Sequence, residues 1–274
     1  MIALIDPPRT YLFVPGDRPE RFEKALASGA DAVVLDLEDA VLSAAKSGAR
    51  DAIALYLSAA SPEKRERLIV RINDESSPWF EADTQMLRAN HAAWVMLPKA
   101  EKTGTVMRVR AICPEIKILA LIETAIGVLR AEAIAAAPGV QRLVFGTIDF
   151  ALDLGLSGDP VGFDYAASRL ALASRAGGLP PPVAGVTPDI TDELPLLADL
   201  QRARAHGFSA KLCIHPKQIA PIHRALQPSD EEITWARKVI ATAESASGAV
   251  QIEGRMVDKP VLLRAHTLLA KQRP

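Results

Sequence analysis

Short runs of β-branched and aliphatic residues recur along the chain, separated by Ala-rich segments in which apolar residues return every three or four positions. The runs predict eight strands, at Tyr11 to Val14, Ala32 to Leu37, Leu68 to Ile72, Trp94 to Leu97, Ile116 to Ile122, Arg142 to Phe145, Pro182 to Val186 and Lys211 to Ile214. Several of them, such as VVLDL, LIVRI and ILALI, are apolar at both alternating sets of positions, which suits strands covered on both faces in a parallel sheet. The segments between them predict helices at Pro19 to Ser28, Ser43 to Ser58, Pro78 to Asn90, Thr103 to Ile112, Ile126 to Ala136, Asp164 to Gly177, Asp189 to His206 and Pro216 to Leu226. Gly29 and Gly207 are placed to end helices in left-handed backbone, and Asp189 and Ser77 are expected N-caps, the latter ahead of Pro78.

Eight strand-helix units match a (β/α)8 TIM barrel in number and in length. An open doubly wound sheet is the alternative, but no GxGxxG follows the first strand. After the eighth unit the chain continues with a helix from Ser229 to Ser247, the loop QIEGRMVDKP and a last helix. The expected class is therefore α/β, a TIM barrel with a C-terminal helical arm. Residues 1–228 form the catalytic barrel domain and residues 229–274 the arm.

Composition narrows the choice of partners. Of 274 residues, 49% are hydrophobic and 24% charged, which excludes a disordered or fibrous chain. Lys plus Arg number 32 and Asp plus Glu 33, so the net charge of -1 gives no bulk attraction to nucleic acid or anionic lipid, and any anion must be bound locally. No stretch approaches the ~18 consecutive apolar residues of a membrane helix. The opening residues, MIALIDPPRTYLFVPG, carry an acid and prolines where a signal peptide has a basic start and an apolar run. The expectation is a cytoplasmic protein with neither nucleic acid nor membrane as partner. Cys113 and Cys213 have no CxxC or His spacing and read as buried apolar residues.

In a TIM barrel the chemistry collects where the strands end and the βα loops converge. Strand 2 runs into Asp36, Glu38 and Asp39, strand 3 into Arg71 and Asn73, strand 4 into Lys99, strand 5 into Glu123, strand 6 into Asp149 and strand 8 into His215. The residues just before the strands, such as Gly29, Ala92 and Gly139, are small or apolar. Glu123 and Asp149 lie one βα unit apart, so both could reach one point above the mouth. Two close carboxylates repel unless a proton or a cation joins them. Mg²⁺ with oxygen ligands would resolve the repulsion, and ion pairs to Arg71 or Lys99 would equally do so. Arg71 suits either a strand-end ion pair or a fork that holds a carboxylate or enolate oxygen. Glu38 and Asp39 read as a solvated loop or as a pair that orients metal-bound water. Arg18 and the turn amides between Gly16 and Pro19 offer a phosphate site or only a turn. His215, ahead of a proline, is placed either to cap a helix or to act in catalysis.

The segments YLFVPGDRPERFEKAL, VVLDLEDAV, IVRIN, VMLPKA, ALIETAIGVL, GTIDF, LCIHPKQI and EGRMVDKPVL occur in that order, from about Thr10 to His266. Together they resemble the citrate lyase β-subunit-like branch of the HpcH/HpaI aldolase family. The resemblance implies a TIM barrel that uses Mg²⁺ to cleave or form a carbon-carbon bond in 3-hydroxyacyl thioesters such as citramalyl-, malyl- or citryl-CoA. It implies Glu123 and Asp149 as metal ligands, Arg71 as the arginine that holds substrate, and Glu38 and Asp39 as the acidic pair near the metal waters. Lys99 matches the lysine after strand 4, and Asp258 matches an aspartate delivered by the arm of a neighbouring subunit, within a trimer or hexamer. Three positions depart from the pattern. Ile126 replaces His or Arg, Ile148 replaces Glu, and Ala184 replaces Asp. Two rival functions stay open: an aldolase of free hydroxy or 2-oxo acids without CoA, and an accessory subunit that binds an acyl thioester without turnover.

Overall fold

The structure is a computed structural model that describes residues 7–245, 250–252 and 255–270. All eight expected strands form: β1 (Thr10–Pro15), β2 (Ala32–Asp36), β3 (Leu68–Arg71), β4 (Trp94–Leu97), β5 (Lys117–Ile122), β6 (Val140–Phe145), β7 (Val183–Ala184) and β8 (Ala210–Cys213). They pair in parallel in sequence order, and β1 pairs with β8 to close the barrel. β7 is only two residues long, because Pro181 and Pro182 before it have no N–H to give the ladder.

The helices around it are α1 (Phe22–Leu26), α2 (Lys46–Ala59), α3 (Pro62–Glu66), α4 (Phe80–Ala89), α5 (Thr103–Ile112), α6 (Ala125–Leu129), α7 (Ala131–Ala135), α8 (Thr147–Leu154), α9 (Asp164–Ala176), α10 (Glu193–Ala205) and α11 (Ile219–Leu226). The helix expected at Pro19 to Ser28 begins as a 3-10 turn, Pro19–Arg21, ahead of α1. The helix expected at Ile126 to Ala136 breaks at Arg130, whose ψ of 7° leaves the helical range. α3, capped by Ser61, and α8 were not expected. The cap of α10 is Asp192 rather than Asp189, which closes the preceding turn through the N–H and hydroxyl of Thr191. Ser77 accepts from the Trp79 N–H, and α4 starts only at Phe80. Gly29 and Gly207 have φ of 87° and 90°, as expected of helix stops.

Alternate residues of each strand face the barrel interior. Tyr11, Ala32, Val34, Ile69, Met96, Leu119, Leu121, Val144, Val183, Ala210 and Leu212 form one buried apolar cluster there. The N-terminal end is closed by Arg142, only 2% exposed. Its guanidinium donates to the carbonyls of Pro181 and Pro8, to the Tyr11 hydroxyl and to Ser209 Oγ, at 2.7–3.0 Å.

By internal packing the chain divides into two units, Met1–Ile222 and His223–Pro274. In the second, α12 (Asp230–Ser245) packs on α13 (Lys259–Ala270), with Ala236, Val239 and Ala265 buried between them. β9 (Val250–Ile252) and β10 (Arg255–Val257) form an antiparallel pair. Among the described residues, no helix is long and apolar enough to cross a membrane.

Candidate active site

The same alternation that fills the barrel also builds its mouth. Two residues beyond the inward-facing Val34, Ile69 and Leu121 come Asp36, Arg71 and Glu123, which continue the interior rows as polar side chains at the C-terminal end. Asp36 and Arg71 are register partners on β2 and β3. Arg71 Nε and Nη2 each donate to one oxygen of the Asp36 carboxylate at 2.7 Å. Its Nη1 lies 2.8 Å from Glu38 Oε2 and 3.1 Å from Asp39 Oδ2, and its guanidinium stacks 4.9 Å from the Phe13 ring centre. Asp36 also accepts from the N–H groups of Glu38 and Ala40, so one buried carboxylate orders both the arginine and the acidic loop. Lys46 Nζ secures that loop from outside by donating to the carbonyls of Leu37 and Glu38.

Glu123 Oε1 accepts the backbone N–H of Lys99 at 2.8 Å. To aim that N–H, Lys99 takes a φ of 43°, in the sparsely populated left-handed region. Gly146 presses on the other side: a Cβ there would lie 2.6 Å from both Cβ and Oε2 of Glu123. Asp149 sits in the first turn of α8, not at a strand end as expected, because the chain turns into a helix at Gly146 directly after β6. Even so, Asp149, Glu123, Asp36, Asp39 and Arg71 all line one cavity of about 450 Å³ at the mouth. Among the described residues, neither Glu123 nor Asp149 forms an ion pair with Arg71 or Lys99.

Acids outnumber bases here, and the proton affinities show it. Burial pushes the Glu38 carboxyl up to about 9; Arg71 opposes this, while Glu123, Asp39 and Asp36 add to it. Burial likewise raises Glu123 to about 8, opposed by the Lys99 N–H and Arg71 and reinforced by Asp149 and Asp39. Burial disfavours the charge on Arg71, but Asp36, Glu38 and Asp39 outweigh it and hold the guanidinium protonated. Glu38 Oε2 is buried and, despite its proximity to Arg71, receives no aligned hydrogen bond. A crowd of carboxylates with an unsatisfied buried oxygen fits an added cation. Among the described residues, no three acid, His or Cys side chains form a ready-made cage, so water or substrate would complete the coordination, as suits Mg²⁺.

The other expected residues divide. The Lys99 side chain is half exposed, 3.8 Å from Asp74, and faces a neighbouring hollow that also borders Glu38, Asp39 and Lys46. Arg18 is exposed beside Asp17 and is not among the residues lining the mouth cavity. His215 caps a 3-10 turn, Pro216–Gln218, through Nδ1, so its observed contact is the capping one. Asp258 belongs to the C-terminal unit, where its Oδ1 accepts the N–H of Val261 at the start of α13. Sequence reasoning did not assign roles to Phe13, Asp36, Lys46 or Gly146. Counting in twos from the interior-facing residues of each strand would have placed Asp36.

A closed parallel barrel with its charged groups gathered at the C-terminal mouth defines a TIM-barrel enzyme. The chain belongs to the HpcH/HpaI aldolase/citrate lyase family, whose model matches residues 9–216, and a model of carbon-carbon bond lyases of the TIM-barrel fold matches residues 179–272. It is accordingly a carbon-carbon lyase by family. It is 40% identical over 269 residues to a citrate lyase subunit beta-like protein of Mycobacterium tuberculosis, covering 95% of this chain and 94% of that one. It is 34% identical to a (3S)-malyl-CoA thioesterase of Cereibacter sphaeroides, over 97% of this chain and 94% of the relative. Its fold resembles the crystal structure of M. tuberculosis CitE in complex with magnesium, acetoacetate and coenzyme A. The TM-score is 0.85 at 39% identity, with 96% of this chain and 97% of that chain covered.

Proposed function

We propose that the protein is a Mg²⁺-dependent lyase that splits a 3-hydroxyacyl thioester, such as citramalyl-, malyl- or citryl-CoA, into a 2-oxo acid and an acyl thioester. The observation that carries this reading is that Glu123 and Asp149 open onto the same cavity as Arg71, in a mouth short of positive charge. Glu123 and Asp149 would hold the ion. Bound there, Mg²⁺ supplies Lewis-acid polarisation of the substrate oxygen that becomes the ketone.

The remaining work falls to the chain. Cleavage breaks the bond between the hydroxyl-bearing carbon and the carbon next to the thioester, and the electron pair moves onto the thioester as an enolate. Arg71 has five N–H donors; Asp36 and Asp39 take three of them, and Glu38 lies beside Nη1 without an aligned hydrogen bond, which leaves the second N–H of Nη2 for the enolate oxygen. A well-placed donor of this kind contributes about 3 to 4 kcal/mol. Asp36 keeps that guanidinium from rotating. Glu38 and Asp39 orient water and, through it, receive the hydroxyl proton. Asp258, carried by the arm of a neighbouring subunit in a trimer or hexamer, returns a proton to the enolate carbon. Arg18 is the candidate contact for a phosphate of the thioester's carrier, and the Lys99 side chain borders the approach beside Glu38.

The thioesterase name of one group of relatives supports a second reading, in which the same mouth hydrolyses a malyl thioester. One assay separates the two. Purified protein with Mg²⁺ and each thioester is expected to release the 2-oxo acid and acyl-CoA. Release of free CoA thiol without 2-oxo acid would establish hydrolysis instead, and activity retained by Glu123→Ala would overturn the site.

A further inference from the structure

A second cavity of about 400 Å³ lies beside the mouth, between the outer faces of β6, β7 and β8 and the helices α8, α9 and α10. It shares Thr147, Ile148 and Val186 with the mouth cavity, so the two adjoin. Its walls are largely apolar, with Phe145, Ile148, Ala151, Phe163 and Phe208 prominent. Ile148 and Ala184 both line it, and neither brings a polar group to its wall.

One polar group inside stands out. Lys211 lines the cavity, is 2% exposed and points outward from β8, since Ala210 and Leu212 point in. Its register partner on β7 is Ala184. A carboxylate at position 184 would stand directly across the ladder from this ammonium; alanine supplies none. Lys211 Nζ donates to the Gly185 carbonyl at 2.8 Å. Its nearest carboxylate oxygen, Asp199 Oδ2, is 3.9 Å away and already accepts the Thr187 hydroxyl at 2.5 Å. An ammonium has three N–H donors, so two have no protein acceptor within hydrogen-bond distance. Burial lowers its proton affinity to about 8, with Asp199 opposing, as expected of an under-compensated cation. The charges at the rim are engaged with each other: Asp164 Oδ1 lies 2.8 Å from Arg202 Nη1 and 3.0 Å from His206 Nε2.

We propose that this side cavity is a binding site for an alkanoate of medium length, whose carboxylate meets Lys211 in the place an aspartate at 184 would fill. Its alkyl chain lies against Phe145, Ile148, Phe163 and Phe208. The site is separate from Glu123 and Asp149 and can be read without turnover.

The test is isothermal titration calorimetry of the full chain in EDTA, which keeps metal out of the mouth, with butanoate, hexanoate and hexan-1-ol. Each buried methylene strengthens binding about fourfold, so hexanoate is expected to bind about fifteenfold more tightly than butanoate. Hexan-1-ol, which lacks the charge, is expected to bind at least about tenfold more weakly than hexanoate. Ala184→Asp supplies the carboxylate from within the chain and should abolish hexanoate binding without lowering the melting temperature. Lys211→Met should erase the preference for the acid over the alcohol. No detectable hexanoate binding, equal binding of butanoate and hexanoate, or hexanoate binding unchanged in Ala184→Asp would each overturn the proposal.

Discussion

Asp36 and Arg71 stand opposite one another on adjacent strands and meet through two parallel hydrogen bonds of 2.7 Å, with the aspartate wholly buried. This pair fixes the only guanidinium among the residues lining the mouth cavity, and it does so from a residue that need never touch substrate.

Asp36→Asn keeps the shape and removes the charge. Breaking a buried pair by neutralising one partner costs about 3 to 5 kcal/mol, and Glu38 and Asp39 should hold the loss near the lower end. Urea denaturation measures it. A loss below about 0.5 kcal/mol would show that the pair is not what anchors Arg71.

Gly146→Ala tests the other wall of the site. Its new methyl group would collide with Glu123 Cβ and Oε2, so the carboxylate must swing away. The expected outcome is a fold that loses about 1 to 3 kcal/mol and an activity reduced by about a hundredfold or more. Mg²⁺-dependent lyase assays alongside thermal melts separate the two effects.

Lys99 offers a division between backbone and side chain. Lys99→Gly keeps the N–H that binds Glu123 and relieves the positive φ, so stability should hold or rise by up to about 1 kcal/mol. Lys99→Pro deletes the donor and cannot adopt that φ, and is expected to be severely destabilised. If the glycine variant lost activity as completely as Glu123→Ala, the lysine side chain would have to act in the chemistry.

The retained protons predict a pH dependence. Glu38 and Glu123 have folded pKa values raised to about 9 and about 8, above the ordinary 4.5. An acid raised on folding stabilises the fold fully below its unfolded pKa, and that contribution is lost as pH climbs to the folded one. The metal-free protein should therefore melt at progressively lower temperature from about pH 5 to about pH 9. Mg²⁺ should restore more stability at pH 9 than at pH 6, because the ion replaces those protons. Thermal melts with EDTA or with Mg²⁺ across this range decide it; a Mg²⁺ shift that is larger at pH 6 contradicts the site.

The barrel was legible because strands covered on both faces leave continuous apolar runs, and none of the eight was missed. The position of Glu123 at the mouth was legible too, since it directly follows such a run. Asp149 lies at the mouth, as its motif implied, but on the first turn of α8 rather than at a strand end, because the turn into α8 happens at Gly146 and no polar boundary announces it. The role of Asp36 was hidden for a different reason. Its partner is 35 residues away, and only the closing of the barrel brings β2 and β3 together. The helix expected after Glu123 broke at Arg130, where local propensity runs on but the backbone does not. Gln218, whose amide bridges the loops after β7 and β8 by accepting from Ile214 N–H and donating to the Thr187 carbonyl, left no local signal either.

Arg142 gathers Pro8, Tyr11, Pro181 and Ser209 around one guanidinium at the end of the barrel remote from Glu123. The cylinder is thereby braced at its floor, and its roof inherits the freedom to vary. Side chains around that roof can be exchanged while the foundation that keeps the cylinder upright goes undisturbed.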